Sequence, residues 1–338
     1  MIFMTKRLGT QTIKFDMPPV ITASAAVVGD KEGEGPLKNF FDYISYDPYF
    51  GEKTWEKSES TMLKQCFALA CDKGKIAVSD LNYIFSGDLL NQCTGSTFAM
   101  KDCGVPYFGL YGACSTMGES MSLAAMAIDG GFADKVCAAT SSHFCSSERQ
   151  YRFPLEYGGQ RTPTSQWTVT GSGAVIIQAS GIGPRITHVT TGAIVDAGII
   201  DANNMGAAMA PAAYQTLKAH FEDTGRTPDY YDLIVTGDLG AIGHDILEDL
   251  FRRDGISLGT RYTDCGVLIF DREKQDVHAG GSGCGCSASV FASYIMRGFA
   301  ENHWKKVLFA PTGALLSPTS SQQGDSIPGI CHAVAVEV

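Results

Sequence analysis

The sequence predicts a duplicated α/β fold, two βα halves whose strands are covered on both faces by helices. Two observations carry this. The first is a repeat. Asn82-Tyr83-Ile84-Phe85-Ser86-Gly87-Asp88-Leu89 returns about half a chain later as Asp232-Leu233-Ile234-Val235-Thr236-Gly237-Asp238-Leu239. Ala113-Cys114-Ser115 likewise returns as Gly285-Cys286-Ser287, and Lys135-Val136-Cys137-Ala138-Ala139-Thr140 matches the pattern of Lys306-Val307-Leu308-Phe309-Ala310-Pro311. Each match is short, but the three keep one order, as two copies of a single unit would. The second observation is that apolar strand-like runs alternate with helical periodicity in both copies, which implies a parallel sheet with helices on both faces.

In chain order, the apolar run 20–28 opens the first copy, and 60–72 and 94–103 read as helices. The run 105–110 is short, apolar and aromatic, as a buried parallel strand would be. Next comes a helix over 115–128, with Met117, Met121, Leu123, Ala124 and Ile128 at mostly helical spacing and Gly130-Gly131 at its end. A strand at 136–140 and the run Gly171-Ser172-Gly173-Ala174-Val175-Ile176-Ile177 complete the copy. The turn Gly181-Ile182-Gly183-Pro184 separates the halves, giving units of 1–183 and 184–338. In the second copy 185–195 is the opening strand, with helices over 205–223, 245–254 and 287–301.

Composition narrows the function. A chain of 338 residues, 44% hydrophobic and 18% charged, can bury one large core or two fused ones. No apolar run reaches the ~18 residues of a membrane span, and Lys6, Arg7 and Lys14 interrupt any signal-peptide core. The expectation is a soluble or peripheral protein. Eleven cysteines without framework spacing point to a reducing compartment. Cys284-Gly285-Cys286 is the only close cysteine pair and has no second pair or His-x-x-x-His beside it, so no metal site is expected. A net charge of −10 without a basic, aromatic-interleaved patch argues against nucleic acid.

The chemical signal is Tyr111-Gly112-Ala113-Cys114-Ser115-Thr116-Met117-Gly118-Glu119, which sets a cysteine between a strand and a helix. A thiol there meets unpaired helix N–H groups and the positive dipole end, which favour thiolate, and the flanking small residues let backbone amides approach. The same geometry makes an anion site. Most cysteines are simply small buried hydrophobes, and Cys66, Cys71, Cys103, Cys137 and Cys331 fit that reading.

With these blocks in view, the chain resembles the thiolase fold family, which includes thiolases and β-ketoacyl synthases. Gly87-Asp88-Leu89-Leu90-Asn91-Gln92, the Gly104-Val105-Pro106 turn and Gly112-Ala113-Cys114-Ser115 follow the family's order, so Cys114 falls on the family nucleophile. The resemblance implies a thiolase-like fold of two duplicated halves, each a mixed five-stranded sheet covered by helices. It is closest to a sporulation branch of the family, and runs over nearly the whole chain. Further blocks carry it: Ala138-Ala139-Thr140-Ser141-Ser142-His143, Glu156-Tyr157-Gly158-Gly159-Gln160, Thr168-Val169-Thr170-Gly171-Ser172-Gly173-Ala174-Val175 and Met209-Ala210-Pro211-Ala212-Ala213. The tail adds Ala279-Gly280-Gly281-Ser282-Gly283-Cys284 and Thr312-Gly313-Ala314-Leu315-Leu316-Ser317-Pro318-Thr319. What it implies is binding of dipicolinic acid, free or as its calcium chelate, and help in loading it into the developing spore. The partners would be membrane proteins of the same transport system on the cytoplasmic side of the forespore or inner spore membrane. A homodimer is plausible by family habit. No cofactor is implied; calcium would enter only with the ligand.

A condensing enzyme of this family also needs a His, with a second His or an Asn, from its second half. Gly237-Asp238 and Gly281-Ser282-Gly283-Cys284-Gly285-Cys286 occupy those places, so the pocket is expected without condensing chemistry. The alternative is an acyltransferase with Cys114 as nucleophile and His143 or His244 as base. His143 follows a strand at its carboxyl end, where parallel sheets place ligands; its bland reading is a loop histidine bonded to backbone. His244 equally suits an ordinary helix start. The expected ligand-binding set is Asp88, Asn91, Cys114, His143, Ser282, Cys286 and Ser317. Arg149 and Arg152 are candidate carboxylate forks beside Glu148 and Tyr151; the bland reading of these four is a solvated surface.

Overall fold

The computed structural model describes residues 5–151 and 161–338; Arg152 and the block 156–160 fall outside them. In chain order the principal elements of the first half are β1 (Val20–Val28), α1 (Trp55–Gly74), β2 (Tyr83–Gly87), α2 (Thr94–Met100), β3 (Tyr107–Leu110), α3 (Thr116–Asp129), β4 (Lys135–Ser142), α4 (Phe144–Tyr151) and β5 (Gly171–Gln178). Then follow β6 (Arg185–Thr191), α5 (Met205–Thr224), β7 (Leu233–Thr236), α6 (Gly240–Arg253), β8 (Tyr262–Asp264), α7 (Cys284–Val290), β9 (Lys306–Ala310) and β10 (Gly329–Glu337).

The duplication is visible in the strand order β8-β7-β9-β10-β6-β1-β5-β4-β2-β3. Read outward from the centre, β1-β5-β4-β2-β3 and β6-β10-β9-β7-β8 are the same arrangement twice. In each, the strand before the last runs parallel to both neighbours, and β5 or β10 runs antiparallel to both of its own. The sheets are therefore mixed, as the family resemblance implies, and not purely parallel as the alternation of elements alone suggests. A single register pair, Arg185 with Val20, joins the two sets.

Five layers result. Helices α1 and α2 cover the outer face of the first sheet, α5 and α6 that of the second, and α3 and α7 lie between the sheets. Helix α1 forms because Met62, Leu63, Cys66, Phe67, Ala70 and Cys71 recur on one buried face. Each large side chain so buried contributes ~1.5–3 kcal/mol. It stops where Lys75 turns left-handed (φ 51°). Between the sheets, α7 is buried throughout. It begins three residues earlier than its periodicity suggests, because its first turn is Cys284-Gly285-Cys286. Glycine is required there: a Cβ on Gly285 would sit 2.2 Å from the Gly171 carbonyl of β5.

One strand differs from expectation. β3 is not buried but forms the sheet edge, with Phe108 half exposed and stacked on Phe85 at 5.1 Å. Its apolar sequence reflects aromatic packing on a single neighbour, which a pattern of hydrophobicity cannot distinguish from full burial.

Candidate functional site

Cys114 sits on a tight turn between β3 and α3. Ala113 adopts a left-handed conformation (φ 49°), a costly one for a residue with a Cβ. The turn is held from within: Ser115 Oγ donates to the Gly112 carbonyl at 2.6 Å, Thr116 Oγ1 to that of Ala113 at 2.6 Å. It is also held from the second half, where a Cβ on Gly313 would lie 2.4 Å from the Gly112 carbonyl. The sulfur faces a cavity of about 40 Å³ whose walls include Leu89, Tyr111, Ser147, Glu148, Tyr151, Thr168, Ser282 and Leu316.

The second half brings Asp238, just beyond β7, to Cys114. Asp238 is fully buried. Its carboxylate accepts from the Gly283 amide at 2.8 Å, from Thr312 Oγ1 at 3.0 Å and from Ser282 Oγ at 3.4 Å, and it lies beside the Cys114 thiol. Gly283 reaches this position with φ +102°, open only to glycine at low cost. Burial pushes the Asp238 carboxyl up to about 7.

These neighbours reverse the expectation of a thiolate. Burial first, then the Asp238 charge, hold the Cys114 thiol well above its ordinary range, and only the Gly283 amide acts the other way. The helix N-terminus does not rescue it, because Cys114 precedes the residue that caps α3, Ser115. Where a condensing enzyme would set an imidazole, this chain sets a carboxylate, and a carboxylate beside a thiol opposes its ionisation.

The candidate residues divide into three groups. Cys114 and Ser282 face the cavity. Asn91 and Ser317 lie further out, in a cleft of about 290 Å³ that also touches Leu90, Gln92, Tyr111, Tyr151 and Leu316; Ser317 also caps a short helix by accepting from the Ser320 amide. Asp88, Cys286, His143, His244 and Arg149 line neither space. Asp88 is buried and accepts from the Leu90 and Ser96 amides and the Ser96 hydroxyl, folding the loop that carries Leu89. Cys286 is buried, its thiol 3.6 Å from the Gly237 carbonyl. His143 is buried, its Nε2 2.8 Å from the Pro48 carbonyl and its Nδ1 accepting from the Cys145 amide. Burial lowers its affinity for a proton. His244 stacks on Tyr262 at 4.5 Å with Nδ1 3.2 Å from Asp245. Neither histidine lines the cavity. Arg149 pairs with Glu56 on α1. Glu148 does line the cavity, bonded by Thr168 Oγ1 at 3.0 Å.

Sequence reasoning missed Ser147, Thr168 and Tyr111 as wall residues. Tyr111, three residues before Cys114, carried a signal in its place at a strand end. Ser147 and Thr168 carried none.

The fold is thiolase-like. Solved structures share the fold: 3-oxoacyl-[acyl-carrier-protein] synthase III from Aquifex aeolicus (TM-score 0.58, 12% identity, 95% of this chain and 100% of that one) and an OleA variant from Xanthomonas campestris with cerulenin (TM-score 0.59, 13% identity, 96% and 98%). More specifically, the chain belongs to the stage V sporulation protein AD family, whose model matches residues 9–337. It is 43% identical over 332 residues to stage V sporulation protein AD of Bacillus subtilis, covering 98% of each chain.

Proposed function

We propose that this protein binds dipicolinic acid at the Cys114 pocket and assists its uptake into the developing spore, without condensing chemistry. The observation that carries the reading is the Cys114–Asp238 pair, a nucleophile position kept inside a pocket but neutralised by a carboxylate. Asp238 does not itself wall the cavity, and its raised proton affinity softens repulsion of an incoming carboxylate. Both features suit a pocket that holds an acid and does not acylate.

Membrane-embedded partners of the same sporulation system complete the proposal, on the cytoplasmic side of the inner spore membrane. Among the described residues no helix is long and apolar enough to cross a membrane, and a net charge of −10 disfavours adsorption to anionic lipid. Protein contacts are then the route to the membrane. A second copy of the chain would pair along the exposed edge of β3.

Calorimetric titration with dipicolinate, with and without calcium, should give saturable heat at one site per chain. Cys114→Trp, which fills the cavity, should abolish it. Full-strength binding by that variant would place the ligand elsewhere. Sustained turnover of acyl-CoA would overturn the non-enzymatic reading in favour of an acyltransferase.

A further inference from the structure

Among the described residues, three are shared by the cavity at Cys114 and the outer cleft. Tyr111 and Tyr151 line both, with Leu316 as the third shared residue. Their hydroxyls meet at 2.7 Å, and the Tyr151 hydroxyl also lies 2.6 Å from the Leu89 carbonyl. Tyr111 comes from the end of β3 and Tyr151 from the end of α4, so the hydrogen bond ties two elements together across the passage.

The two spaces differ in size. A space of about 40 Å³ holds about three waters, too little for a six-membered ring bearing carboxylates. The outer cleft, at about 290 Å³, is several times larger. Yet the inner cavity is built to receive something polar. Ser147 is buried, lines the cavity, and its Oγ is among the described buried side-chain atoms with no hydrogen-bond partner. Leaving a buried hydroxyl unsatisfied is costly, and a ligand oxygen would recover that cost.

We propose that Tyr111 and Tyr151 are the specificity-determining residues of this site: a flat, carboxylate-bearing ring passes between them as their mutual hydrogen bond parts. Its leading carboxylate meets Ser147, and its trailing end stays in the cleft near Asn91 and Ser317. This rests on the reading of the Cys114 pocket as a ligand site. Once parted, the Tyr111 hydroxyl is free to donate to the ligand, while the two rings offer flat apolar walls that favour an aromatic acid over a branched aliphatic one. The same pair explains why the candidate residues fall into an inner and an outer set.

Two measurements test it, one of them independent of any ligand. Cys114 is labelled with N-ethylmaleimide and with the smaller iodoacetamide, its modification followed by peptide mass spectrometry. Tyr111→Phe keeps the ring and removes the latch, so maleimide labelling should accelerate at least fivefold and iodoacetamide labelling less. Tyr151→Phe should do the same, and thermal melts confirm that both variants fold. Maleimide rates equal to wild type in both variants overturn the gate. In the second measurement, Ser147→Ala should weaken dipicolinate binding about tenfold, the loss of one hydrogen bond to a charged group. Undiminished affinity removes the inner contact and overturns the two-chamber pose. A wild-type protein that binds no dipicolinate would sink the ligand assignment, while the labelling arm still decides the gate.

Discussion

Cys114 and Cys286 occupy matching places in the two halves, each where a helix of the middle layer begins, yet only one faces a cavity. The difference lies in how each helix is entered. Before α3 the chain turns through left-handed Ala113, which lifts Cys114 clear of the helix and turns its sulfur towards the walls supplied by α4 and the 312–316 segment. Before α7 the turn is made at Gly283, and Gly285 seats the helix directly on β5, which leaves Cys286 inside the packing. Duplication thus repeats the sheets and helices, while function follows from turns of a few residues that the copies do not share.

The sharpest way to break this comparison is to make one substitution at both positions. Cys114→Trp should eliminate ligand binding and lower the melting temperature less than the matching change at Cys286, because the cavity of about 40 Å³ takes up part of the indole. Cys286→Trp should lower the melting temperature by ~10 °C or prevent folding, since overpacking a close-packed layer costs ~3 kcal/mol or more. Equal melting temperatures for the two variants would show that the second site is also open.

A smaller effect sharpens the role of Asp238. Removing its charge with Asp238→Asn should bring the Cys114 thiol down towards its ordinary range and raise its iodoacetamide labelling rate at pH 8 severalfold. Burial is the larger cause of the shift and remains, so the thiol should still titrate above a free cysteine. An unchanged rate would mean that burial alone silences the nucleophile.

Much of the fold was legible, because periodicity and repeat order depend on local sequence. Strand 20–28 and helix 205–223 match β1 and α5 to within a residue, since each carries a strong apolar pattern, which in α5 runs on through Pro211. β3 misled because edge and interior strands share aromatic composition. Of the residues singled out in the sequence, Cys114, Glu148, Tyr151 and Ser282 line the cavity and Asn91 and Ser317 the outer cleft; glycine-rich turns marked Cys114 and Ser282 as places of close backbone approach. His143 looked functional by position at a strand end, but the Pro48 carbonyl claims its ring. Asp238 drew notice only as the residue standing where a histidine would. Its contact with Cys114 spans more than a hundred residues, and no local pattern encodes that. Ser147 is an ordinary helical serine until the folded walls around it are seen.

The least dramatic prediction contrasts the halves by their buried charges. Both halves bury carboxyls: burial pushes Glu32 and Glu59 of the first up to about 8 and Asp238 of the second up to about 7. The second half holds the most strongly shifted imidazoles: burial takes His188 and His332 down to about 4 and His220 to about 3. A carboxyl raised in the folded state binds its proton more tightly there, so stability falls as pH rises from ~4.5 to about 8. A lowered histidine is protonated first in the unfolded chain, so its contribution is lost as pH falls from ~6.5 towards 4 and below. Between ~4.5 and ~6.5 the two trends oppose each other, and a broad plateau is expected. Above it only the carboxyls act, Glu32 and Glu59 each removing ~2 kcal/mol between pH 6.5 and 8. Glu59 accepts from Ser146 and Ser141, so Glu59→Gln keeps the shape and removes the titration. Chemical denaturation across pH 6.5 to 8 should then show a shallower decline than wild type in that variant, with the acid limb untouched. A decline as steep as wild type would remove Glu59 from the account and leave the alkaline limb to Glu32 and Asp238.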